Sequence, residues 1–317
     1  MYIKYGELCL IVVLAINFVD ASHFRFDYTY NRDAGGWLKF HQIPADFKRA
    51  FLRCKAEGAV LASPTSVALR KAMESMYKQY TDSCGIYTGI NAMFSKGDFA
   101  TVDGIPLARI PVLWAPDEPD NYSGDEDCTI MLQNSTIADV RCNDTRPYMC
   151  FRKKTLDLVF SSCGTVDKEY NFEDRTGSCY KFHTTGRTWA SAYMTCLAEG
   201  GHLVIINSAI ESQVIKELFA KHPATKIVAK NKDIIAVGHH DWFEKGVWHT
   251  IHGQTLAEAG FDTFSSGQPD DYKVPDGGQD CGGVFRNGLL DDTSCISVTY
   301  PFICEKKPES LVSNEEN

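Results

Sequence analysis

The stretch "WAPDEPDNYSGDEDC" (residues 114–128) places six carboxylates between Asp117 and Asp127, and Pro116 and Pro119 bar a helix that would spread them. Side chains of one charge held this close repel, so the segment is either a solvated acidic loop or a cradle for a hard cation. Calcium suits such donors, because it takes six to eight oxygens at about 2.4 Å and tolerates uneven geometry. A second stretch, "QPDDYKVPDGGQDC" (268–281), repeats the mixture of Pro, Asp and Gly ahead of a cysteine. Catalysis has no comparable signature: the chain lacks His-Glu-x-x-His, Gly-x-Ser-x-Gly, a phosphate-cradling glycine loop and the EF-hand calcium pattern. The stretches "HHD" (239–241) and "HTIH" (249–252) offer metal-like residue types but read as structural rather than as a zinc site.

These loops need a scaffold, and 317 residues suffice for about two domains, each with its own core. Lys4, the apolar run "LCLIVVLAINFV" and the small-residue pattern at Val19-Asp20-Ala21 read as a signal peptide over residues 1–21, which predicts secretion. No later apolar run approaches the roughly 18 residues of a membrane span. Removing the leader takes away Lys4, Glu7 and Asp20 and moves the formal net charge from −9 to −8. An acidic chain whose one short basic stretch, "KIVAKNKD" (226–233), reads as a solvated surface excludes nucleic acid as a partner. The C-terminal "PESLVSNEEN" (308–317) reads as a disordered polar tail.

The chain is written twice. "FKRAFLRCKAEGAVLASPTS" (47–66) answers "TWASAYMTCLAEGGHLVIINS" (188–208), each an amphipathic helix carrying a cysteine, then Glu-Gly, then an apolar strand. A second helix follows in each copy, at 67–80 and 209–222. The stretch "EDCTIMLQNSTIADVRCNDTRPYMC" (126–150) parallels "QDCGGVFRNGLLDDTSCISVTYPFIC" (279–304). A repeat this long is a domain, not a solenoid unit, and the boundary falls near residues 151–163, giving units of 22–152 and 153–307. Twelve cysteines less Cys9 of the leader leave eleven, an odd count for a secreted chain. The order within each copy suggests Cys54–Cys150 and Cys128–Cys142, then Cys196–Cys304 and Cys281–Cys295, although spacing alone leaves other connectivities open. Cys163 and Cys179 form an additional pair around an N-terminal hairpin of the second copy. Cys84 is left over, either as a buried thiol or as the link of a homodimer.

A helix cysteine, an acidic X-Pro-Asp segment, Glu-Asp-Cys, an apolar strand, Asp-x-x-Cys and a final Pro-x-x-Cys resemble the C-type lectin domain. Two tandem copies after a leader look like the immulectin-type two-domain lectins of insect haemolymph, and the resemblance runs from about Phe24 to Glu305. It implies an α+β fold in each copy, with two helices, small mixed sheets and a long loop region where calcium is bound and a sugar's hydroxyls complete its coordination. In the first copy it assigns Glu118, Asp120, Glu126 and Asp139 to the metal, with Pro119 in cis, and Glu118 and Asp120 also to the sugar. The family's Trp-Asn-Asp motif here reads Ile137-Ala138-Asp139, so Ala138 brings no oxygen and the site is one ligand short. Glu118-Pro119-Asp120 also departs from the mannose-type Glu-Pro-Asn, since a carboxylate replaces the amide that would donate to a hydroxyl.

In the second copy the resemblance assigns Gln268, Asp270, Gln279, Asp291 and Asp292 to the metal and Gln268, Asp270, Tyr272 and Asp291 to the sugar. Gln268-Pro269-Asp270 matches the galactose-type signature, Tyr272 stands where an aromatic ring stacks on galactose, and Gly277-Gly278 supply the glycine-containing loop. Gln279 is neutral where the family has Glu. The expectation is therefore a secreted, calcium-dependent, non-enzymatic lectin of innate immunity that recognises microbial polysaccharides, lipopolysaccharide among them, with its galactose-type site in the second copy. The rival is a calcium-independent module of the same fold that binds protein. Sequons at Asn121, Asn134 and Asn143 favour the rival in the first copy, because a glycan on Asn121 would cover the loop.

Overall fold

Helices begin in this chain where a short polar side chain can take up their first free amides. The computed structural model describes residues 24–80, 84–155, 159–273 and 278–311, so the expected leader, Gly277 and residues 312–317 lie outside the described residues. In the first copy β1 (Thr29–Asn31) pairs with β2 (Gly36–Ala45), and Asp46 then caps α1 (Phe47–Ala56) by accepting from the Arg49 amide. After β3 (Val60–Leu61), Ser66 caps α2 (Val67–Tyr77) through the Leu69 amide. The remainder is β4 (Ile86–Asn91), β5 (Ala100–Thr101), the acidic loop, β6 (Cys128–Met131), β7 (Ile137–Val140) and β8 (Arg146–Lys153).

The second copy repeats this order. It runs β9 (Asn171–Glu173), β10 (Ser178–Arg187), α3 (Trp189–Ala198) capped by Thr188, β11 (His202–Leu203) and α4 (Ala209–Ala220) capped by Ser208. It continues with β12 (Ile234–His240), β13 (His249–Thr250), β14 (Cys281–Phe285), β15 (Leu290–Thr293) and β16 (Tyr300–Lys306). One element goes beyond the expected pair of helices. A four-residue helix, α5 (Leu256–Ala259), lies between β13 and β14, where Thr255 and Glu258 form a capping box.

Each copy builds one mixed sheet, in the order β1-β2-β8-β4-β6-β7 and β15-β14-β12-β16-β10-β9. Neighbours run antiparallel except at the centre, where β4 meets β8 and β12 meets β16 in parallel. Phe47, Ala50 and Cys54 of α1 and Trp189, Ala192 and Cys196 of α3 share the i, i+3, i+7 spacing, so each helix turns its cysteine into the core. The Trp189 ring nitrogen donates to the Val237 carbonyl at 2.7 Å, which satisfies its one polar atom inside that core.

Five disulfides close as Cys54–Cys150, Cys128–Cys142, Cys163–Cys179, Cys196–Cys304 and Cys281–Cys295. The third does not close the β9–β10 hairpin itself: it ties the segment before β9 onto β10. Cys84 stays outside the five, half-buried, with its thiol against the Gly85 carbonyl.

The tail departs from its expected disorder over residues 308–311. Leu311 is buried, its carbonyl accepts from the Phe26 amide at 3.2 Å, and Ser310 donates to the Gly200 carbonyl at 2.8 Å. Apolar contact at Leu311 outweighs the polar composition of the residues around it. Arg25 donates to the Ala198 carbonyl at 2.9 Å, so the N-terminal segment of the first copy also rests on the second.

Candidate functional site

The acidic loop of each copy leaves one end of the sheet and returns to it at a disulfide. Cys128 of β6 faces Val140 of β7, and Cys281 of β14 faces Thr293 of β15, so Asp139 and Asp292 come up beside the returning loops. The loops enter through cis peptide bonds at Glu118-Pro119 and Gln268-Pro269, and Asn121 and Asp271 then adopt left-handed backbone with φ of 47°. Asn and Asp are the side-chain-bearing residues that tolerate this conformation best.

The hydrogen-bond pattern is the same in both loops. The Asp139 carboxylate accepts from the Asp120 and Asn121 amides at 3.2 and 3.0 Å, and Asp292 accepts from the Asp270 and Asp271 amides at 3.2 and 2.7 Å. The Tyr122 amide reaches Asp120 and Glu126, and the Tyr272 amide reaches Asp270 and Gln279. Every residue assigned from sequence therefore lies at its loop or on the adjoining strand. Tyr122 and Tyr272 are 72% and 68% exposed, so neither ring is committed to the core.

Their electrostatics differ. Glu118, Asp120 and Asp139 bring carboxylate oxygens within 4.8 Å of one another. Burial, with the hydrogen bond and charge of Asp139, pushes the Glu118 carboxyl up to about 7. Burial and the neighbouring acids raise Glu126 as well. Among the described residues the second copy forms no equally close carboxylate triad. The reason lies in the sequence, since Gln268 and Gln279 stand where the first copy has Glu118 and Glu126. The strand makes up part of the difference, because Asp291 replaces Ala138. Burial and the Asp292 charge push Asp291 up to about 7, and burial raises Asp292 too.

Burial and like charge are what raise these acids. Glu118 Oε2, Gln268 Oε1 and Asp291 Oδ1 are buried oxygens with no hydrogen-bond partner, which is costly unless something positive completes them. The donor set is all oxygen, as a hard divalent cation requires. Beside the first loop lies a cavity of about 350 Å³ floored by Phe99 and Trp114 and walled by Asn121, Glu126 and Asp139. The sequon asparagines Asn121, Asn134 and Asn143 are all exposed.

Sequence reading missed one charged group here. Lys245 places its ammonium 2.9 Å from Asp271, 2.6 Å from Asp280 and 3.4 Å from Asp241. The signal was available in the comparison of copies, because Ala92 and Asn121 stand where the second copy has Asp241 and Asp271. The histidines of "HHD" are buried on β12, with no third ligand-type residue grouped around them among the described residues. Burial pushes His239 down to about 3, so it packs as a neutral ring.

The model of the Lectin C-type domain family matches residues 43–152 and 185–306. A hemolymph lipopolysaccharide-binding protein of Periplaneta americana is 46% identical over 127 residues, covering 40% of this chain and 48% of that protein. Asialoglycoprotein receptor 2 of Rattus norvegicus is 32% identical over 160 residues, covering 49% of this chain and 48% of the receptor. Against both, the chain spans about half the length of the curated relative it matches. Among solved structures, a mouse scavenger receptor C-type lectin carbohydrate-recognition domain aligns at 29% identity and a TM-score of 0.36, covering 44% of this chain and 97% of that domain.

Proposed function

The chain belongs to the C-type lectin domain family, and on that premise we propose that it is a secreted, calcium-dependent lectin binding glycans of microbial surfaces, lipopolysaccharide among them. The observation that carries the reading is that each site holds a buried side-chain oxygen with no hydrogen-bond partner, Glu118 Oε2 in the first copy and Gln268 Oε1 and Asp291 Oδ1 in the second. In the first copy Glu118, Asp120, Glu126 and Asp139 would hold the metal. In the second, Gln268, Asp270, Gln279, Asp291 and Asp292 would do so. A bound calcium offers its remaining coordination positions to two sugar hydroxyls. Ligand residues with a spare donor or acceptor then select which hydroxyls fit.

Gln268 and Asp270 exchange amide and carboxylate relative to the mannose-type order, and the exposed Tyr272 ring supplies a flat apolar face, so the second site is the galactose-type one. The first copy carries more charge, while the second has the additional strand oxygen of Asp291. The similarity to a hemolymph lipopolysaccharide-binding protein supports the microbial ligand and the secreted location. Among the described residues no helix is long and apolar enough to cross a membrane. Single monosaccharide contacts are weak, and two domains on one chain, or a dimer of such chains, give avidity for repeated glycans.

The test is retention of the full chain on immobilised galactose, with calcium and with a chelator, beside Asp292→Ala and Asp139→Ala variants. The expected result is retention that needs calcium, is lost in Asp292→Ala and survives in Asp139→Ala. Retention indifferent to the chelator would rule out the metal mechanism. If galactose, mannose and lipopolysaccharide all failed to bind, the protein-binding alternative would take its place.

A further inference from the structure

The two copies treat the lysine beside the loop differently. Lys96 contacts one carboxylate, Asp127, at 2.9 Å, and the Gly124 carbonyl at 3.0 Å, both on the returning limb of its loop. Lys245, the matching residue of the second copy, reaches three carboxylates from three separate segments: Asp241 after β12, Asp271 on the outgoing limb and Asp280 on the returning limb. The equivalence is fixed by register, since the Ala92 amide donates to the Asp127 carbonyl as the Asp241 amide donates to Asp280.

We infer that Lys245 is a built-in cation that clasps both limbs of the second loop, residues 268–273 and 278–280, so that this site is held in shape before any metal arrives. Lys245 is a positioning residue, acting through Asp271 and Asp280 on the neighbouring ligands Asp270 and Gln279. Three features carry this. The Asp241 side chain is 1% exposed and its Oδ1 has no hydrogen-bond partner; its Oδ2 accepts from the Gly246 amide at 2.9 Å and lies 3.4 Å from the Lys245 ammonium, its one ion pair among the described residues. Asp271 passes the clasp on, because its Oδ1 also accepts from the Gln279 amide at 3.0 Å. Gly278 makes room for the contact, since a Cβ there would stand 2.1 Å from Asp271 Oδ1. Burial opposes the charge on Lys245, but its hydrogen bonds to Asp280 and Asp271 outweigh burial and raise its pKa.

Only the consequence for sugar binding rests on the reading proposed above, and the clasp itself can be tested without sugar or metal. Hydrogen exchange of the full chain, followed by mass spectrometry in chelator, is expected to show the 268–273 segment exchanging more slowly than 118–123. Lys245→Met should speed exchange at Asp271, Tyr272 and Gln279 by about tenfold, since a network of three pairs holds these amides against local opening. Lys245→Arg, which keeps the charge, should restore most of the protection, and α4 should be unaffected by either change. Raising salt to about 1 M should move the wild type toward Lys245→Met, because these pairs are partly exposed and screened. Unchanged exchange in Lys245→Met, or an arginine variant as fast as the methionine one, would overturn the clasp. Wild-type chain that fails to bind galactose while showing the protection would count against the sugar reading alone.

Discussion

Glu211→Gln should stabilise the second domain at pH 8 and leave it nearly unchanged at pH 5. Glu211 is fully buried at the third residue of α4, where its carboxylate accepts from the Asn207 amide at 2.9 Å and from the Tyr180 hydroxyl. Burial and the charge of Glu305 push it up to about 7, against the hydrogen bonds from Tyr180 and Asn207 and the neighbouring His202. Glu305 is itself raised by burial. An acid whose folded value lies above its unfolded one binds its proton more tightly when folded. The stability this confers is present below pH 4.5 and is lost as pH rises through 7. At 1.4 kcal/mol per tenfold, keeping Glu211 ionised at pH 8 costs about 3 kcal/mol, against less than about 1 kcal/mol at pH 5. Glutamine reproduces the protonated acid: its oxygen accepts from Asn207, and its amide donates to Tyr180, whose hydroxyl donates on to Thr176 at 2.9 Å. The assay is thermal unfolding followed by tryptophan emission at both pH values, with an expected rise of roughly 10 °C at pH 8. A variant less stable than wild type by the same amount at both pH values would refute the reasoning, since Glu211 would then be ionised and well paired in the fold.

Two further outcomes follow from other buried groups. Glu57 is pulled well below the usual carboxylate range, because His41, Lys39 and Arg25 outweigh its burial; its stabilisation is present above pH 4.5 and fades as pH falls through the lower value. Glu57→Ala should therefore cost the first domain about 3–5 kcal/mol near neutrality, measured by urea unfolding, with the deficit shrinking in acid. Replacing Cys163 and Cys179 together by serine opens a loop of 16 residues' separation and should cost about 3 kcal/mol in the same measurement.

The elements were legible where local chemistry decides them. Asp46, Ser66, Thr188 and Ser208 announce helix starts that the fold uses, and the i, i+3, i+7 rows ending at Cys54 and Cys196 mark the faces that turn inward. Pairing of the cysteines was open from spacing and needed the order of the duplicated copies. The site loops were found as acidic runs, but that Glu118 and Asp120 turn toward Asp139 depends on strand register over some twenty residues, which no local pattern encodes. Glu211 and Glu305 were illegible for a related reason. They occupy the positions of Leu69 and Phe151, two core residues of the first copy, yet a glutamate in a helix or strand reads as solvent-facing until both elements are packed. The docked residues 308–311 escaped notice because Leu311 is one apolar side chain in a polar tail.

The divergence of the copies has an electrostatic logic. The first loop gathers carboxylates with a single lysine contact, so its acids repel until a cation or protons relieve them, as the raised values of Glu118 and Glu126 record. The second replaces two of those acids with Gln268 and Gln279 and brings Lys245 against three others, which lowers repulsion before any metal is present. Ligand charge sets calcium affinity, whereas a preformed loop reduces the ordering that binding demands, so the two changes act in opposite directions on metal binding. On the proposed reading, the first site gains more shape from calcium and the second needs less. A chelator should therefore loosen the loop at 118–123 well before it loosens 268–273, and a second domain that lost its loop order first would contradict the division of roles drawn from these charges.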